Sequence, residues 1–506
     1  MSQPFEALPK SAVAALARAS GARPPRLADL RLHDKSSLIS ARVVRGLARI
    51  ADVVLATLLG LVIALAYVSE PQILSNPVYL LAIAATGLLS LAAFEVLGLY
   101  SIAALSSALR QMPRVVLGWT IAFGMIVATV FFLKIGADLS RVWLAAWYTA
   151  GAAALVAERL VLSTLTRGWM REGRLYRRAV IYGANNVAAE LIAELEADTE
   201  SDIRISGLFD DRGDERSPRV IAGYPHLGGL DALVAFARDT RIDLVIVALP
   251  MAAEARLATV LGKVAVLPVD IKLPARSSAV RFSRHVYSHI GRVAMIDLCE
   301  KPIADWGHVV KWVFDKSIAA LALLLLAPVM LAVAAAIRLD SRGPVLFRQK
   351  RYGFNNELIE IYKFRSMYVD QTDAAANKLV TVGDPRVTRV GRFIRKTSLD
   401  ELPQLFNVVF KGNLSLVGPR PHAVQGKVKN QMFDEAVDGY FARHRVKPGI
   451  TSWAQINGWR GEIDNAEKIQ KRVEFDLYYI ENWSVLFDLY ILLKTTTALL
   501  KTENAY

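Results

Sequence analysis

The sequence has little cysteine and no recognisable nucleic-acid motif. Its one thiol, Cys299, excludes an internal disulfide framework and any metal site built from several cysteines. A net charge of +14 would suit a DNA- or RNA-binding protein, but no recognition motif accompanies it. We therefore predict no nucleic-acid partner, and we assign Cys299 to a buried structural position.

The first 48 residues lack the early apolar segment of a secretory signal peptide. They are rich in alanine and arginine, and the first long apolar run begins only near residue 50. This pattern predicts a cytoplasmic tail over residues 1–48.

Apolar and basic residues are what the chain has in excess. Hydrophobic residues make up 53% of it, and its mean hydropathy of +0.31 is too high for an ordinary soluble enzyme. The net charge is +10 over residues 1–178, −4 over residues 179–300 and +8 over residues 301–506. The basic charge thus accompanies the apolar segments, which favours anionic membrane lipid as a partner.

Four apolar runs follow the tail, at residues 50–69, 77–98, 115–134 and 142–163. Each is close to the roughly 20 residues that a spanning helix needs. Arginines are concentrated before the first run and after the fourth, so both ends face the cytoplasm. We predict a bundle of four transmembrane helices over residues 49–165. Charged residues near its cytoplasmic ends are interpreted as interfacial anchors: Asp52, Glu95, Glu158 and Arg159.

Residues 176–300 alternate short apolar runs with helical stretches, which predicts a Rossmann-like α/β module with a parallel sheet. The first strand leads into Gly183-Ala184-Asn185-Asn186, where a dinucleotide fingerprint would require glycine at position 185. Asp210 and Asp211 end the second strand, where an acidic ribose contact would lie. Two interpretations stay open, nucleotide binding and a regulatory or docking role.

The apolar segment at residues 317–338 has Pro328 near its middle and basic residues on both flanks. Positive residues mark the cytoplasmic side of a membrane segment, so both ends favour the same face. Proline removes a backbone donor and kinks a helix, as a hairpin that enters one leaflet requires. We predict a re-entrant membrane hairpin over residues 317–338; the alternative is a kinked spanning helix.

Beyond residue 339 the chain carries short motifs rich in Arg, Lys, Gly and Pro, and one of them contains the adjacent carboxylates Asp400 and Glu401. A carboxylate can attack phosphorus to form an acyl phosphate, and it can also bind Mg²⁺. Four cations in the same motifs are candidates to bind phosphate oxygens: Lys363, Arg365, Arg395 and Arg420. A capping box formed by Ser398 and Glu401 is the structural alternative for the pair.

The order of these motifs resembles the bacterial sugar transferases, the polyisoprenyl-phosphate hexose-1-phosphate transferases, over about residues 305–506. The resemblance rests on the hairpin with Pro328, the Asp400-Glu401 pair, and the motifs Gly418-Pro419-Arg420-Pro421 and Lys447-Pro448-Gly449. It implies an α/β catalytic domain in which Asp400 is the nucleophile and Glu401 its partner at a Mg²⁺ site. It also implies that Arg395 and Arg420 contact phosphate. The four helices and the Rossmann-like module resemble the N-terminal half of the family's long members.

The reaction implied by this resemblance moves a hexose 1-phosphate from a UDP-sugar to undecaprenyl phosphate through a covalent aspartyl intermediate, with release of UMP. It would be the first membrane step of exopolysaccharide synthesis, at the bacterial inner membrane, with the catalytic domain in the cytoplasm. The segment Gln455-Ile456-Asn457-Gly458-Trp459-Arg460-Gly461-Glu462 resembles the glucose-transferring branch, so glucose is the expected sugar.

Two other functions are compatible with the sequence. A membrane-bound nucleotide-sugar dehydratase or epimerase would need a Tyr-x-x-x-Lys pair; Tyr490 and Lys494 have that spacing, but no intact glycine-rich loop precedes them. A non-catalytic assembly protein would keep the carboxylate pair for helix capping alone. The sequence does not fix the oligomeric state, and a homo-oligomer is compatible with it.

Overall fold

The computed structural model of the chain describes most of its length, and the described residues divide into two compact units with the boundary in the chain between residues 177 and 178. The predicted tail falls outside the described residues as far as position 38, and its last part already belongs to the first helix. The described residues are 39–68, 76–135, 139–197, 202–212, 220–249, 253–275, 287–290, 293–369, 384–422, 427–428, 431–433, 437, 439–459, 461 and 465–500.

The N-terminal unit is helical. Its helices are α1 (Ala41–Tyr67), α2 (Pro77–Val96), α3 (Ile102–Leu105), α4 (Ala108–Phe132) and α5 (Arg141–Arg171). Helices α1 and α4 each pack against both α2 and α5, so the four long helices form a closed bundle. Within the described residues, α1, α2 and α4 are long and apolar enough to cross a membrane, as is one helix of the second unit. Helix α5 is less apolar because it carries Glu158 and Arg159. The chain is therefore a membrane protein.

Tryptophans fill the centre of this bundle. The indole of Trp147 donates to the carbonyl of Ala56 at 2.9 Å, and that of Trp143 donates to the carbonyl of Gly60 at 3.0 Å. Both side chains are fully buried. Each indole N–H thus has the partner that a dry environment requires, and the contacts fix α5 against α1.

Two of the charges interpreted as interfacial anchors lie inside the bundle instead. The guanidinium of Arg159 donates to the carboxylate of Asp52 at 2.6 Å, and both side chains are 0% exposed. The hydroxyl of Tyr100 donates to the same carboxylate at 2.7 Å. That prediction was wrong for this pair, because α1 and α5 face each other here. Glu95 agrees better with the predicted interfacial position, since its carboxylate pairs with Arg49 on the surface.

The second unit begins with an α/β module. Its elements are β1 (Arg177–Tyr182), α6 (Asn186–Ala197), β2 (Ile203–Phe209), β3 (Val220–Ile221), β4 (Tyr224–Pro225), α7 (Leu230–Asp239), β5 (Leu244–Val247), α8 (Glu254–Val264), β6 (Asp270–Pro274), β7 (Tyr287–Ile290) and β8 (Val293–Cys299). The main sheet has the order β2-β1-β5-β6-β8-β7. Side chains alternate along its strands, so α6 covers one face while α7 and α8 cover the other.

The sheet is mixed rather than fully parallel. Strand β1 runs parallel to β5, and β5 runs parallel to β6, but β8 pairs antiparallel with both β6 and β7. The predicted parallel sheet is therefore correct for this central part and wrong for the β8–β7 edge.

The remaining elements build an α/β domain around one long helix, α9 (Asp305–Asp340). They are β9 (Leu346–Tyr352), a 3₁₀ turn (Phe354–Asn356), β10 (Leu358–Phe364), α10 (Arg389–Lys396), a 3₁₀ turn (Leu399–Glu401), α11 (Gln404–Phe406), a π-helical turn (Asn407–Lys411), β11 (Ser415–Val417), β12 (Lys427–Val428), β13 (Gln431–Met432), a 3₁₀ turn (Tyr440–Arg445), β14 (Gly449–Thr451), α12 (Trp453–Ile456), α13 (Ala466–Glu481) and α14 (Val485–Leu500). Strands β9 and β10 form an antiparallel hairpin, and β11 pairs parallel with β14.

Helix α9 is continuous over 36 residues and contains Pro328. Its first part packs through Ala319 into the core that includes Leu405, Leu416 and Ile491. Its last part packs through Met330, Val333 and Ile337 against Phe364 of β10 and Ile394 of α10. Both parts therefore contact the same domain, whereas the side chains of Leu324 and Leu325 between them are exposed.

Candidate active site

The carboxylate pair lies on a tight turn that is not a capping box. Ser398 adopts a left-handed conformation with φ of 58°, which is uncommon for a residue with a Cβ atom. It precedes the 3₁₀ turn Leu399–Glu401, and its side chain makes no capping hydrogen bond. The carboxylate of Glu401 is directed to cations of other elements. The capping alternative is thus not the structure that this motif adopts.

Asn407 fastens the segment after this turn to strand β10. Its side-chain amide donates to the carbonyl of Glu360 at 2.7 Å, and its side-chain oxygen accepts from the backbone N–H of Tyr362 at 2.9 Å. Asn407 is fully buried, so both groups need these partners. The contact holds the carboxylate turn beside Lys363, the next residue of β10. No signal in the sequence singled out Asn407.

Two glycines explain how Arg420 reaches the same place. Gly418 and Gly449 lie where β11 and β14 meet, and the N–H of Gly449 donates to the carbonyl of Pro419 at 3.0 Å. A Cβ atom on Gly418 would lie 2.5 Å from the carbonyl oxygen of Lys447. Because the two backbones approach so closely, a side chain there would push the strands apart. The Gly-Pro-Arg-Pro and Lys-Pro-Gly motifs therefore act together, because their close backbone contact positions Arg420.

Glu401 is held between two cations. Its Oε1 atom accepts from Arg420 Nη2 at 2.6 Å and from Lys363 Nζ at 3.0 Å. The side chains of Glu401, Lys363 and Arg420 are 17%, 20% and 34% exposed, so water screens these pairs only in part. Burial alone would raise the pKa of Glu401, but the charges of Arg420 and Lys363 outweigh it and hold that pKa well below its usual range. Glu401 is therefore a permanent anion.

Asp400 has the opposite environment. Within the described part of the chain, both ion pairs of the motif go to Glu401 and none goes to Asp400. Burial raises the pKa of Asp400 to about 6, and the charge of Glu401 contributes to this, while Lys363, Arg395 and Arg420 oppose it. Two adjacent carboxylates thus differ in charge and in basicity, which is the usual sign that they have different tasks.

The other two predicted phosphate ligands lie in different positions. Arg395, in the last turn of α10, is near enough to Asp400 to lower its pKa. Arg365 is directed away from the pair and donates to the carbonyls of Arg342 and Ser341 at 2.7 and 2.8 Å. It is 4% exposed and fixes the chain just after α9. The structure therefore brings Lys363, Arg395 and Arg420 to the carboxylates and does not bring Arg365 there.

Behind Arg420 lies a buried ion pair that the sequence did not reveal. Arg443 Nη2 donates to Asp476 at 2.5 Å and to the carbonyl of Arg420 at 2.7 Å. Arg443 Nη1 also donates to Nδ1 of His422 at 2.5 Å. Arg443 and Asp476 are both 1% exposed and stand 33 residues apart in the sequence. They hold the main chain at Arg420 and so act on the site through it.

The adjacent carboxylates Asp400 and Glu401 are donors of the type that Mg²⁺ prefers, because Mg²⁺ is commonly bound by one or two carboxylates together with substrate phosphates. Asp400 offers a carboxylate free of ion pairs, and Glu401 has its Oε2 atom only weakly engaged, at 3.4 Å from Arg420. No group of three or more His, Cys, Asp or Glu side chains gathers among the described residues. The pair thus fits a metal whose remaining ligands come from a bound diphosphate and water.

The Tyr-x-x-x-Lys spacing that a dehydratase would need occurs on α14. The ammonium of Lys494 lies 5.8 Å from the centre of the Tyr490 ring. Tyr490 contacts Trp453, in an aromatic group distant in sequence from the glycine turn of the α/β module. Nothing in this arrangement resembles a dinucleotide-dependent active site. A turn with one basic carboxylate, one anionic carboxylate and three nearby cations is suited to reactions at phosphorus.

Comparison with protein families finds two matches along the chain. Residues 306–502 match the family described as bacterial sugar transferase. Residues 95–275 match the family described as CoA-binding domain. The first match covers α9 and all the residues of the candidate active site.

Three relatives align with most of the chain. The undecaprenyl-phosphate glucose phosphotransferase of Komagataeibacter xylinus is 39% identical over 361 residues, which are 71% of this chain and 66% of that protein. The UDP-glucose:undecaprenyl-phosphate glucose-1-phosphate transferase of Escherichia coli (strain K12) is 36% identical, and the alignment covers 77% of this chain and 81% of that protein. The protein of the same name from Xanthomonas campestris pv. campestris is 33% identical, and the alignment covers 85% of this chain and 88% of that protein.

Proposed function

The chain belongs to the bacterial sugar transferase family, and we propose that it transfers glucose 1-phosphate from UDP-glucose to undecaprenyl phosphate, with release of UMP. The names of relatives that align along most of their length support this reaction and its donor. The observation that carries the proposal is the contrast between Asp400, which has no ion pair among the described residues, and Glu401, which is held by Lys363 and Arg420.

In the first step a carboxylate oxygen of Asp400 attacks the phosphorus that bears the sugar. The bond from this phosphorus to the bridging oxygen breaks, UMP leaves with the electron pair, and an acyl phosphate remains on Asp400. In the second step an oxygen of the lipid phosphate attacks the same phosphorus and releases the Asp400 carboxylate. Splitting one displacement into two is the advantage of covalent catalysis.

The cations around the pair bind and orient the phosphates. Glu401 offsets part of the positive charge of Arg420 and Lys363 in the free enzyme, and the remaining N–H groups of both cations are available to phosphate oxygens. Arg395 reaches the same region from α10. Mg²⁺ held by Asp400 and Glu401 would offset the charge of the diphosphate. Arg365 has no part in this step.

We further propose that α9 is a re-entrant hairpin. Its first part reaches Asp488 through Lys311 at 2.8 Å, and its end reaches Arg365 through the carbonyl of Ser341 at 2.8 Å. A straight helix of 36 residues would be about 54 Å long, and a bilayer core is about 30 Å thick. Two ends that contact one globular domain cannot lie on opposite sides of a bilayer. The exposed leucines between them then enter one leaflet, with the catalytic domain in the cytoplasm at the bacterial inner membrane.

The α/β module is proposed to be Rossmann-like without a dinucleotide site. The N–H of Ala184, which would face a pyrophosphate, donates to the carboxylate of Asp210 at 2.6 Å. Arg212 and Arg256 pair with the same carboxylate at 2.7 and 3.2 Å. The side-chain amide of Asn185 donates to the carbonyl of Ala248 at 2.6 Å. The chain itself therefore fills the place of the phosphates, which favours a regulatory or docking role.

The test is UMP release by the full chain, purified in detergent, with undecaprenyl phosphate and Mg²⁺. UDP-glucose, UDP-galactose and UDP-N-acetylglucosamine are compared as donors, and we expect UDP-glucose to be used fastest. Asp400→Asn should abolish release, whereas Asp231→Asn, an exposed change of the same kind in the α/β module, should leave it intact. Equal release of UMP by the two variants would show that Asp400 is not the nucleophile, whereas no release from any donor would remove the assignment and favour a non-catalytic assembly protein.

A further inference from the structure

A cavity of about 150 Å³ lies between the first part of α9 and the segment that includes β11. Trp312, Phe354 and Val408 are among its lining residues and give it a largely apolar wall. Neither carboxylate of the active site lines it, nor do Lys363 or Arg420. It is therefore a separate cavity within the same domain, and neither the transfer reaction nor the family match accounts for it.

Besides Lys311, whose ammonium is paired with carboxylates, three cations from three different elements line this cavity: Lys316 of α9, Arg445 at the end of a 3₁₀ turn, and Lys447 before β14. Lys316 donates to the carbonyl of Val409. Arg445 donates to the carbonyl of Glu300 at 3.0 Å and contacts the sulfur of Cys299. Among the described residues, Lys447 has no side-chain partner. None of the three cations is paired with a carboxylate in this part of the chain.

The one acidic residue that lines the cavity is already engaged. Asp315 pairs with Lys311 at 3.1 Å, and Lys311 also pairs with Asp488 at 2.8 Å. Burial lowers the pKa of Lys447; Asp315 opposes this shift, and the charges of Lys316 and Lys311 add to it. Like charges brought together in a partly dry place destabilise one another, and an anion between them would offset the repulsion.

We propose that this cavity binds an organophosphate anion, with the phosphate held by Lys316, Arg445 and Lys447 and the organic part against Trp312 and Phe354. The position favours a phospholipid head group over a soluble phosphate ester. Lys316 directly precedes the apolar segment 317–338, and Trp312, which is 52% exposed, lies one turn earlier. Lysine and tryptophan at such positions are typical of the membrane interface, and the lysine favours anionic lipid. The bound lipid would fix the first part of α9 at the membrane surface.

The experiment measures ligand-induced stabilisation of the full chain in detergent, in the Asp400→Asn background and without undecaprenyl phosphate, so that turnover has no influence. Thermal unfolding is followed during titration with short-chain phosphatidylglycerol, short-chain phosphatidylcholine and inorganic phosphate. We expect saturable stabilisation by phosphatidylglycerol at lower concentration than by the other two. If inorganic phosphate were equally effective, the phosphate chemistry would stand and a soluble ester would be its source.

Variants of Lys447 decide whether the effect arises in this cavity. Lys447→Gln should weaken phosphatidylglycerol binding about tenfold, the effect of losing one charge-assisted hydrogen bond. Lys447→Arg should retain most of the affinity, which separates loss of charge from misfolding. Lys471→Gln removes an exposed lysine on α13 and should change nothing. Equal titrations for Lys447→Gln and Lys471→Gln, or equal stabilisation by phosphatidylcholine and phosphatidylglycerol, would overturn the proposal.

Discussion

Arg420 donates to Glu401 at 2.6 Å, although 19 residues separate them in the chain. This contact joins the Gly-Pro-Arg-Pro motif to the carboxylate turn and assigns the negative charge of the pair to Glu401. Asp400, the neighbouring carboxylate, keeps a pKa of about 6 because it is buried beside that charge. This ion pair, together with that of Lys363 and the burial of Asp400, produces the difference between the two carboxylates on which the proposed chemistry depends.

The first prediction concerns the stability of Asp400→Asn as a function of pH. The pKa of Asp400 rises from 3.8 to about 6 on folding, mainly through burial, so the folded protein holds this proton more tightly than the unfolded chain. Protonated Asp400 therefore contributes to the free energy of unfolding. This contribution is fully present below about pH 4 and is lost as the pH rises through about 6. At pH 8, without Mg²⁺, the Asn variant should therefore be more stable than the wild type by about 1–3 kcal/mol. Denaturant unfolding at pH 4 and pH 8 measures it, and a difference that does not grow with pH would contradict it.

The second prediction concerns Glu401→Gln. This change removes the negative neighbour that raises the pKa of Asp400 and releases Lys363 and Arg420 to pair with it. The pH at which UMP release reaches half of its maximum should fall by about one unit, and the maximal rate should fall about 10–100-fold because the freed cations bind Asp400. A pH profile of single-turnover release measures both. Glu474→Gln, an exposed change of the same type on α13, should show neither effect.

Much of this architecture was predictable, because long apolar runs and short dense motifs are local signals. The helices α1, α2 and α4, the central strands of the α/β module and the carboxylate motif follow from periodicity and composition. Strands β7 and β8 were missed, since antiparallel pairing at a sheet edge depends on partners far along the chain. For the same reason the sequence did not reveal the ion pair of Arg443 and Asp476. It also gave no sign that Asp52 and Arg159 pair with each other, so they were interpreted as separate interfacial charges.

Arg365 shows a different limit. It stands two residues after Lys363, and alternation along a strand would place both side chains on one face. Strand β10 ends at Phe364, however, so the alternation no longer applies at Arg365. Its guanidinium turns to the carbonyls at the end of α9 instead. A local pattern could identify the cation but not the point at which the strand stops.

The third prediction distinguishes a structural role of Arg365 from a role in phosphate binding. Arg365→Met removes the donors to the carbonyls of Arg342 and Ser341, two hydrogen bonds that are partly buried. The free energy of unfolding should fall by about 2–4 kcal/mol, because these carbonyls lose charge-assisted hydrogen bonds. The KM for UDP-glucose should stay within about twofold of the wild type if Arg365 does not bind phosphate. A rise in KM of tenfold or more, with stability intact, would show that it contacts the donor.

The fourth prediction concerns the pair of Arg443 and Asp476. Removing one member of a buried ion pair leaves an uncompensated charge, so Asp476→Leu should cost about 3–5 kcal/mol of stability. The double change Arg443→Met with Asp476→Leu should recover part of this loss. Activity should not recover with it, since the carbonyl of Arg420 has lost the donor that positions it. Unfolding and UMP release are compared in the single and double variants, and parallel recovery of both would exclude a positioning role.

The last prediction tests the course of α9 through the membrane. With Cys299→Ser as background, single cysteines are introduced as Val310→Cys, Leu325→Cys and Leu339→Cys, at three positions that are all exposed in the isolated chain. A re-entrant hairpin places positions 310 and 339 on the cytoplasmic side, so a membrane-impermeant maleimide should label both in inside-out vesicles and neither in intact spheroplasts. Position 325 should resist labelling from either side, because lipid covers it. A spanning helix would instead give labelling of 310 and 339 from opposite sides. It would also require one of the two packed ends to leave the domain that holds Lys311 and Arg365, so the labelling pattern and the contacts of α9 must agree.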